Sequence, residues 1–192
     1  MKSPRLIHAC CIVLAAGESA RMGRPKQLLE LDGKPLFIYA LETALAACEE
    51  VILVQGAVDL SEYLPPAGNL KLVTNRNWQR GMLGSLQTGL AKRRYPQVFV
   101  IPADLPLVRW ETYYGLADAM GKVPAAYPVC DGRRGHPVLM GPEAISLIET
   151  ADPGLKAMNV ISPLSPLAVE VEDTGIYRDI DTPEEWEKVR GG

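Results

Sequence analysis

The ten residues "GESARMGRPK", Gly17 to Lys26, hold Gly17, Ser19, Arg21, Gly23, Arg24 and Lys26. A loop of this make-up can aim backbone N–H groups and cations at one chain of phosphates. It is not a Walker loop, since no GK[ST] follows, and it is not GxGxxG. On composition alone it is either an anion site or a solvated basic loop. Asp104 closes the run "VFVIPAD". A carboxylate at a strand's carboxyl end can offer oxygen to a hard divalent cation, and the other reading is a turn residue or helix cap. Asp179 and Asp181 flank Ile180 in "DID", just before a capping box made by Thr182, Pro183 and Glu185. The two aspartates are read as alternating along an extended segment, so only one of them is expected to face any given side; the plainer reading is a helix-start carboxylate favoured by the dipole. In "DGRRGHP", Arg133, Arg134 and His136 either receive a phosphate, through the forked donors of arginine, or form a solvated hairpin tip. Ser85, after Gly81, is either a helix cap or a ligand contact. Trp78 and Trp110 are core or cleft-wall residues, undecided at this level.

These residues need elements to hold them. Strand-like runs recur at "HACCIVLA", "EVILVQG", "NLKLVTN", "QVFVIPA" and "LAVEVE", with helical spacing between most of them. Such alternation predicts a three-layer α/β fold with a mostly parallel sheet. "KPLFIYALETALAACEE" predicts a helix whose buried face is Leu36, Tyr39, Ala40, Thr43, Ala44 and Ala47, with Pro35 at its start. A second helix is expected from about Ser85 through "LQTGLAKRR", and two more over "WETYYGLADAMG" and "PEAISLIET". "AAYPVCDGRRGHPVLMG" reads as a hairpin-like excursion with glycines at positive φ. No repeat or linker divides the chain, so residues 1–192 are expected to form one domain.

Composition narrows the partners. A net charge of −3 over 192 residues gives no global attraction to nucleic acid or anionic membranes, and no apolar run is long enough to span a bilayer. After the basic "MKSPR", the stretch from Leu6 to Ala16 could pass for a secretory signal. Cleavage there would discard the richest loop in the sequence, so Ala9 to Ala16 is read as a buried strand. The cysteines Cys10, Cys11, Cys48 and Cys130 form no CxxC and make a poor zinc set with two histidines. They are expected to be reduced, buried thiols, with Cys10 and Cys11 on opposite faces of a covered sheet, which fits a cytoplasmic protein.

The run "LAAGESARMGRPKQLL" resembles the signature L-A-[AG]-G-x-S-x-R-M-G-x-x-K-x-L-L of nucleotidyltransferases related to molybdenum cofactor cytidylyltransferase and guanylyltransferase. "GMLGSLQTGL", "PADLPLV", "DGRRGHPVLM" and "YRDIDTPEEW" are similar to later segments of that family, in the same order. The resemblance implies a Rossmann-like fold of the nucleotide-diphospho-sugar transferase (GT-A) type, with Mg2+ and a nucleoside triphosphate at the carboxyl ends of the strands. It implies that Leu14, Ala15, Ala16, Gly17, Ser19 and Gly23 contact the nucleotide, that Arg21 holds the leaving pyrophosphate and that Lys26 stabilises charge at the α-phosphate. Asp104 becomes a metal ligand, and Asp181, the second aspartate of "DID", completes the shell or orients its water. Gly81 and Ser85, with Gly89 beyond them, fall near base and ribose, and Arg133, Arg134 and His136 at the acceptor's phosphate. "LAAG" in place of "LAGG" favours CTP over GTP. The implied reaction moves a nucleoside monophosphate onto the terminal phosphate of molybdopterin. A molybdoenzyme apo-protein or its chaperone is the further partner, and the protein is expected to be a monomer. The rivals are guanylyl transfer to the same acceptor, a cytidylyltransferase for a sugar or polyol phosphate, whose "HDAARP"-like segment is missing here, and a non-catalytic maturation factor.

Overall fold

The computed structural model describes residues 5–18 and 25–180. Its elements run β1 (Ile7–Ala15), β2 (Glu30–Leu31), β3 (Lys34–Pro35), α1 (Leu36–Ala47), β4 (Cys48–Gln55), β5 (Leu70–Thr74), α2 (Met82–Leu90) and β6 (Val98–Pro102). They continue with α3 (Trp110–Met120), β7 (Ala125–Cys130), β8 (Arg133–Arg134), β9 (Val138–Met140), α4 (Pro142–Thr150), α5 (Ala157–Ile161) and β10 (Leu167–Glu170). The main sheet has the order β10-β7-β9-β6-β1-β4-β5, with β8 paired to β7. β5, β4, β1 and β6 pair in parallel, as do β7 and β10, and β9 runs antiparallel between β6 and β7.

Strand alternation builds two cores. Ala9, Cys11, Val13 and Ala15 of β1 face a cluster with Phe37, Leu41 and Ala44 of α1 and Tyr113 and Leu116 of α3. Cys10, Ile12 and Leu14 face Leu83, Leu86 and Leu90 of α2 and Ile145 and Ile148 of α4. This is the period of two expected of a strand buried on both sides. It makes three layers, with helices above and below the sheet. All four cysteines are buried free thiols, and Cys10 and Cys11 point to opposite cores as expected. Phe37 and Leu41 are fully buried, whereas Tyr39 and Thr43 are only partly covered. Leu36, Ala40, Ala44 and Ala47 are buried as expected, and the buried face of α1 is shifted to take in Phe37 and Leu41 rather than Tyr39 and Thr43, because burying an aromatic ring and a leucine contributes about 1.5–3 kcal/mol each.

Two further expectations change. α2 begins at Met82, with Gly81 as its N-cap, so Ser85 lies inside the helix rather than capping it. A β-carbon on Gly89 would stand 2.9 Å from Ile12 Cγ2, so this glycine lets α2 approach β1; nothing in its surroundings marks it as a ligand contact. The hairpin is more than an excursion. Asp131 and Gly132 turn it with φ of 51° and 72°, and the returning chain becomes β9, inside the main sheet. Among the described residues no helix is long and apolar enough to cross a membrane. The expected capping helix at Thr182 lies outside the described residues.

Candidate active site

β1 and β6 are neighbours in register, Leu14 opposite Pro102, and the Ala103 N–H donates to the Leu14 carbonyl at 3.0 Å. Their carboxyl ends therefore deliver Ala15–Gly17 and Asp104 to the same edge of the sheet, where ligands bind in open α/β folds. Lys26, in a 3-10 turn over Lys26–Leu28, donates from Nζ to Asp104 Oδ2. Both side chains are 18% exposed, so the pair sits in a cleft rather than in bulk water. Next to it, Gln27 is buried and its Nε2 donates to the carbonyls of Ala15 at 3.2 Å and Gly17 at 2.5 Å. One amide thus fixes the backbone where the strand becomes the glycine loop. Gln27 was not among the expected site residues. The motif leaves its position open, and its only signal was an amide inside the apolar run "KQLLEL".

Three hollows meet at Leu14 and Met82. The smallest, about 130 Å3, is lined by Gly17, Lys26, Gln27 and Asp104. A second, of about 310 Å3, is lined by Ala16, Trp78, Gln79, Gly81 and Ser85. Ser85 is buried there and accepts from Asn75 Nδ2 at 3.0 Å, which explains its place within α2. Trp78 is thereby a cleft-wall residue, while Trp110 stands 43% exposed on α3. The third, about 430 Å3, is apolar, with Leu83, Leu86, Val138 and Met158 among its walls and His136 and Lys156 as polar groups. Burial pushes the His136 imidazole below its ordinary pKa, while the Val100 carbonyl and the Asp104 charge act the other way. The ring is therefore neutral near pH 7.

The remaining expected residues separate. Arg133 and Arg134 are exposed on β8, their guanidinium groups 5.2 Å from the Tyr177 ring and 4.8 Å from the Tyr127 ring, and neither lines these three hollows. Asp179 is exposed, and the next N–H, of Ile180, donates to the Asp104 carbonyl at 3.1 Å. Ile180 is fully buried against Leu29, Leu31 and Leu36. Residues two apart along extended chain share a side, so alternation gives no ground for expecting only one aspartate of "DID" to face the metal. Ser19, Arg21, Gly23 and Asp181 lie outside the described residues. Among the described residues no group of three or more His, Cys, Asp or Glu is gathered for a metal. Asp104 nevertheless offers a carboxylate oxygen at the strand end, in a hollow shared with Gly17 and Lys26, and Mg2+ can use as few as one or two carboxylates when phosphate oxygens and water complete its shell.

The carboxyl ends of β1 and β6 thus gather Gly17, Lys26 and Asp104 around one hollow, and the family match makes the protein a nucleotidyltransferase. The chain belongs to the family described as the MobA-like NTP transferase domain, whose profile matches residues 11–167. It is 26% identical to the molybdenum cofactor cytidylyltransferase of Escherichia coli (strain K12) over 92% of each chain. It is 33% identical to a probable molybdenum cofactor guanylyltransferase of Aquifex aeolicus (strain VF5), over 53% of this chain and 49% of that one. The fold is that of Rv0371c from Mycobacterium tuberculosis H37Rv, with a TM-score of 0.82, 20% identity and coverage of 98% of this chain and 100% of that one. The same mycobacterial protein in complex with manganese superposes with a TM-score of 0.77 at 18% identity, over 97% and 100% of the two chains.

Proposed function

We propose that this enzyme transfers CMP from CTP to the terminal phosphate of molybdopterin, as its molybdenum cofactor form, and releases pyrophosphate. The observation that carries the reading is that the small hollow holding the Lys26–Asp104 pair meets two larger ones, one at Trp78 and Ser85 and one apolar, at Leu14 and Met82. The hollow at Ala16, Trp78 and Ser85 takes the nucleoside, and the apolar one takes the acceptor's ring system, with neutral His136 as a hydrogen-bonding partner. Placing His136 in that pocket supports its assignment to the acceptor. Arg133 and Arg134 remain candidates for the acceptor's outer charges. CTP is preferred because the Ala16 methyl narrows the nucleoside hollow, and similarity along nearly the whole chain to a cytidylyltransferase supports the same choice.

The acceptor phosphate is already anionic, so no side-chain nucleophile or general base is required. An acceptor oxygen bonds to the α-phosphorus in line as the bond to pyrophosphate breaks. Lys26 stabilises the charge on the α-phosphate oxygens, and Arg21 that on the departing pyrophosphate. Gln27 holds Ala15–Gly17 in one backbone arrangement, which binding a triphosphate through N–H groups demands. Asp104, Asp179 and Asp181 would hold the divalent cation; when bound it neutralises triphosphate charge, and Mg2+ is the expected ion.

The test is equilibrium binding of CTP, GTP, UTP and ATP, with and without Mg2+, to the wild type and Asp104→Ala, followed by mass analysis of the product with molybdopterin. CTP should bind most tightly, Asp104→Ala should abolish the metal dependence, and the product should gain one CMP. A GTP preference would overturn the base assignment, and no product with any nucleotide would overturn the reaction.

A further inference from the structure

We infer that Asp173, which touches none of the three hollows, is a positioning residue that sets how Asp104 and Asp179 stand to one another. The inference rests on reading those two carboxylates as metal ligands. Asp173 is 4% exposed and its carboxylate accepts from three donors. Oδ2 takes the Arg109 N–H at 2.9 Å and the Thr112 hydroxyl at 2.6 Å, and Oδ1 takes the Gly175 N–H at 3.0 Å. Arg109 Nε stands 3.8 Å from Oδ1, and the Arg109 guanidinium also donates to the Glu172 carbonyl. Arg109 is the N-cap of α3, so this buried anion also sits at the end of a helix that favours negative charge.

The bonds join two stretches of chain. One leaves β6 through Asp104 and reaches α3 at Arg109; the other runs from Asp173 to Ile180 and carries Asp179. They are in contact at Gly175, where a β-carbon would lie 2.2 Å from the Leu107 carbonyl oxygen, so only glycine allows the approach. Further along, the Ile176 carbonyl accepts from the His136 N–H at 2.8 Å, and the Ile180 N–H donates to the Asp104 carbonyl. The segment from Asp173 therefore ties together the Asp104 loop, the approach to β9 at His136 and, through buried Ile180, the cluster of Leu29, Leu31 and Leu36. A carboxylate with three donors fixes such a segment more firmly than an amide, which has one acceptor oxygen and must surrender either the Arg109–Thr112 side or the Gly175 side. Groups that orient metal ligands without touching the metal are typically worth about 10–100-fold in metal affinity or activity.

The experiment uses the full chain, with Mn2+ as the probe, read by electron paramagnetic resonance in the presence of saturating CTP. Asp173→Asn and the near-isosteric Thr112→Val are compared with wild type for Mn2+ affinity, melting temperature, kcat and KM for CTP. Asp173→Asn should weaken Mn2+ binding at least tenfold and lower kcat about as much. KM for CTP should stay within about twofold, and excess Mn2+ should restore part of the turnover. Thr112→Val should move the same quantities less and in the same direction. Folded Asp173→Asn or Thr112→Val protein with wild-type Mn2+ affinity would overturn the inference, even if its melting temperature fell, because a merely structural role changes stability and not the site. If Asp173→Asn does not fold, Thr112→Val decides alone. Wild-type protein that binds CTP but no Mn2+ would instead overturn the metal assignment itself, and this inference with it.

Discussion

In the proposed function a divalent cation takes the same Asp104 carboxylate that Lys26 bonds, so replacing Lys26 should move two measurable quantities in opposite directions. Lys26→Met keeps most of the side chain's bulk and removes its charge. An ion pair in contact is worth about 4 kcal/mol at an effective dielectric constant of about 20. With each side chain 18% exposed, solvent screening leaves about 1–2 kcal/mol, a factor of about 5–30. Mn2+ should therefore bind nucleotide-free Lys26→Met about 5–30-fold more tightly than wild type, measured by titration calorimetry. Turnover should fall about 100-fold or more, as when one preorganised donor to developing charge is lost. Affinity for CTP should change far less, since the loop backbone and Arg21 remain. Pyrophosphate release in single turnovers separates the chemical step from binding. Unchanged or weaker Mn2+ affinity in the variant would refute the shared-carboxylate argument, and equal losses in CTP affinity and turnover would refute the role given to Lys26.

Gly56→Ala places a β-carbon 2.6 Å from the Ala16 carbonyl oxygen and 2.7 Å from Trp78 Cβ. It should cost about 1–3 kcal/mol in stability and weaken CTP binding; a folded variant with wild-type CTP affinity would dissociate the Ala16–Trp78 hollow from the nucleoside. Gln27→Leu removes both bonds to the Ala15 and Gly17 carbonyls, at about 1 kcal/mol each. Triphosphate affinity should drop more than acceptor affinity, a difference that product assays at varied concentrations of each substrate would expose. Glu50, fully buried at the other end of β4, accepts from Lys71 at 2.6 Å and from Arg94 Nε at 2.9 Å. Burial would raise its pKa, but those bonds outweigh burial and hold it below the ordinary 4.5. Its stabilisation is thus present above about pH 4.5 and lost as pH falls through the lowered value. Glu50→Gln should lose about 1–3 kcal/mol near pH 7 and show a flatter acid limb in melting temperature against pH; parallel curves would count against it.

Local pattern carried a long way in this chain. The strands around Ile12, Ile52, Leu72, Val100 and Val169 each lie within a residue or two of their expected ends. Period-two alternation and flanking turn residues depend on few neighbours. Ser85 shows where that reasoning stops. Its type suits a cap, yet a cap contributes only about 1 kcal/mol. The helix instead starts three residues earlier at Met82, with Ser85 turned inward to meet Asn75. α1 keeps four of its six expected buried residues and takes in Phe37 and Leu41 in place of Tyr39 and Thr43, since period and composition do not fully say which residues the sheet will cover.

Among the site residues, type and spacing in the sequence put forward Asp104 and the glycine loop with Lys26 as candidates beside plainer readings, because phosphate and metal chemistry restrict which groups can serve, and the resemblance of the motif supplied their expected roles. Tertiary structure alone decided which of them meet. Parallel pairing of β1 with β6 brings Lys26 to Asp104 across 78 positions of chain, and the insertion of β9 brings His136 to an apolar pocket while its neighbours Arg133 and Arg134 stay outside. Gln27 and Asp173 became visible only there as well. A buried polar side chain must find hydrogen-bond partners, and here those partners are backbone groups and, for Asp173, the Thr112 hydroxyl, brought within reach by folding, which no spacing in the sequence records.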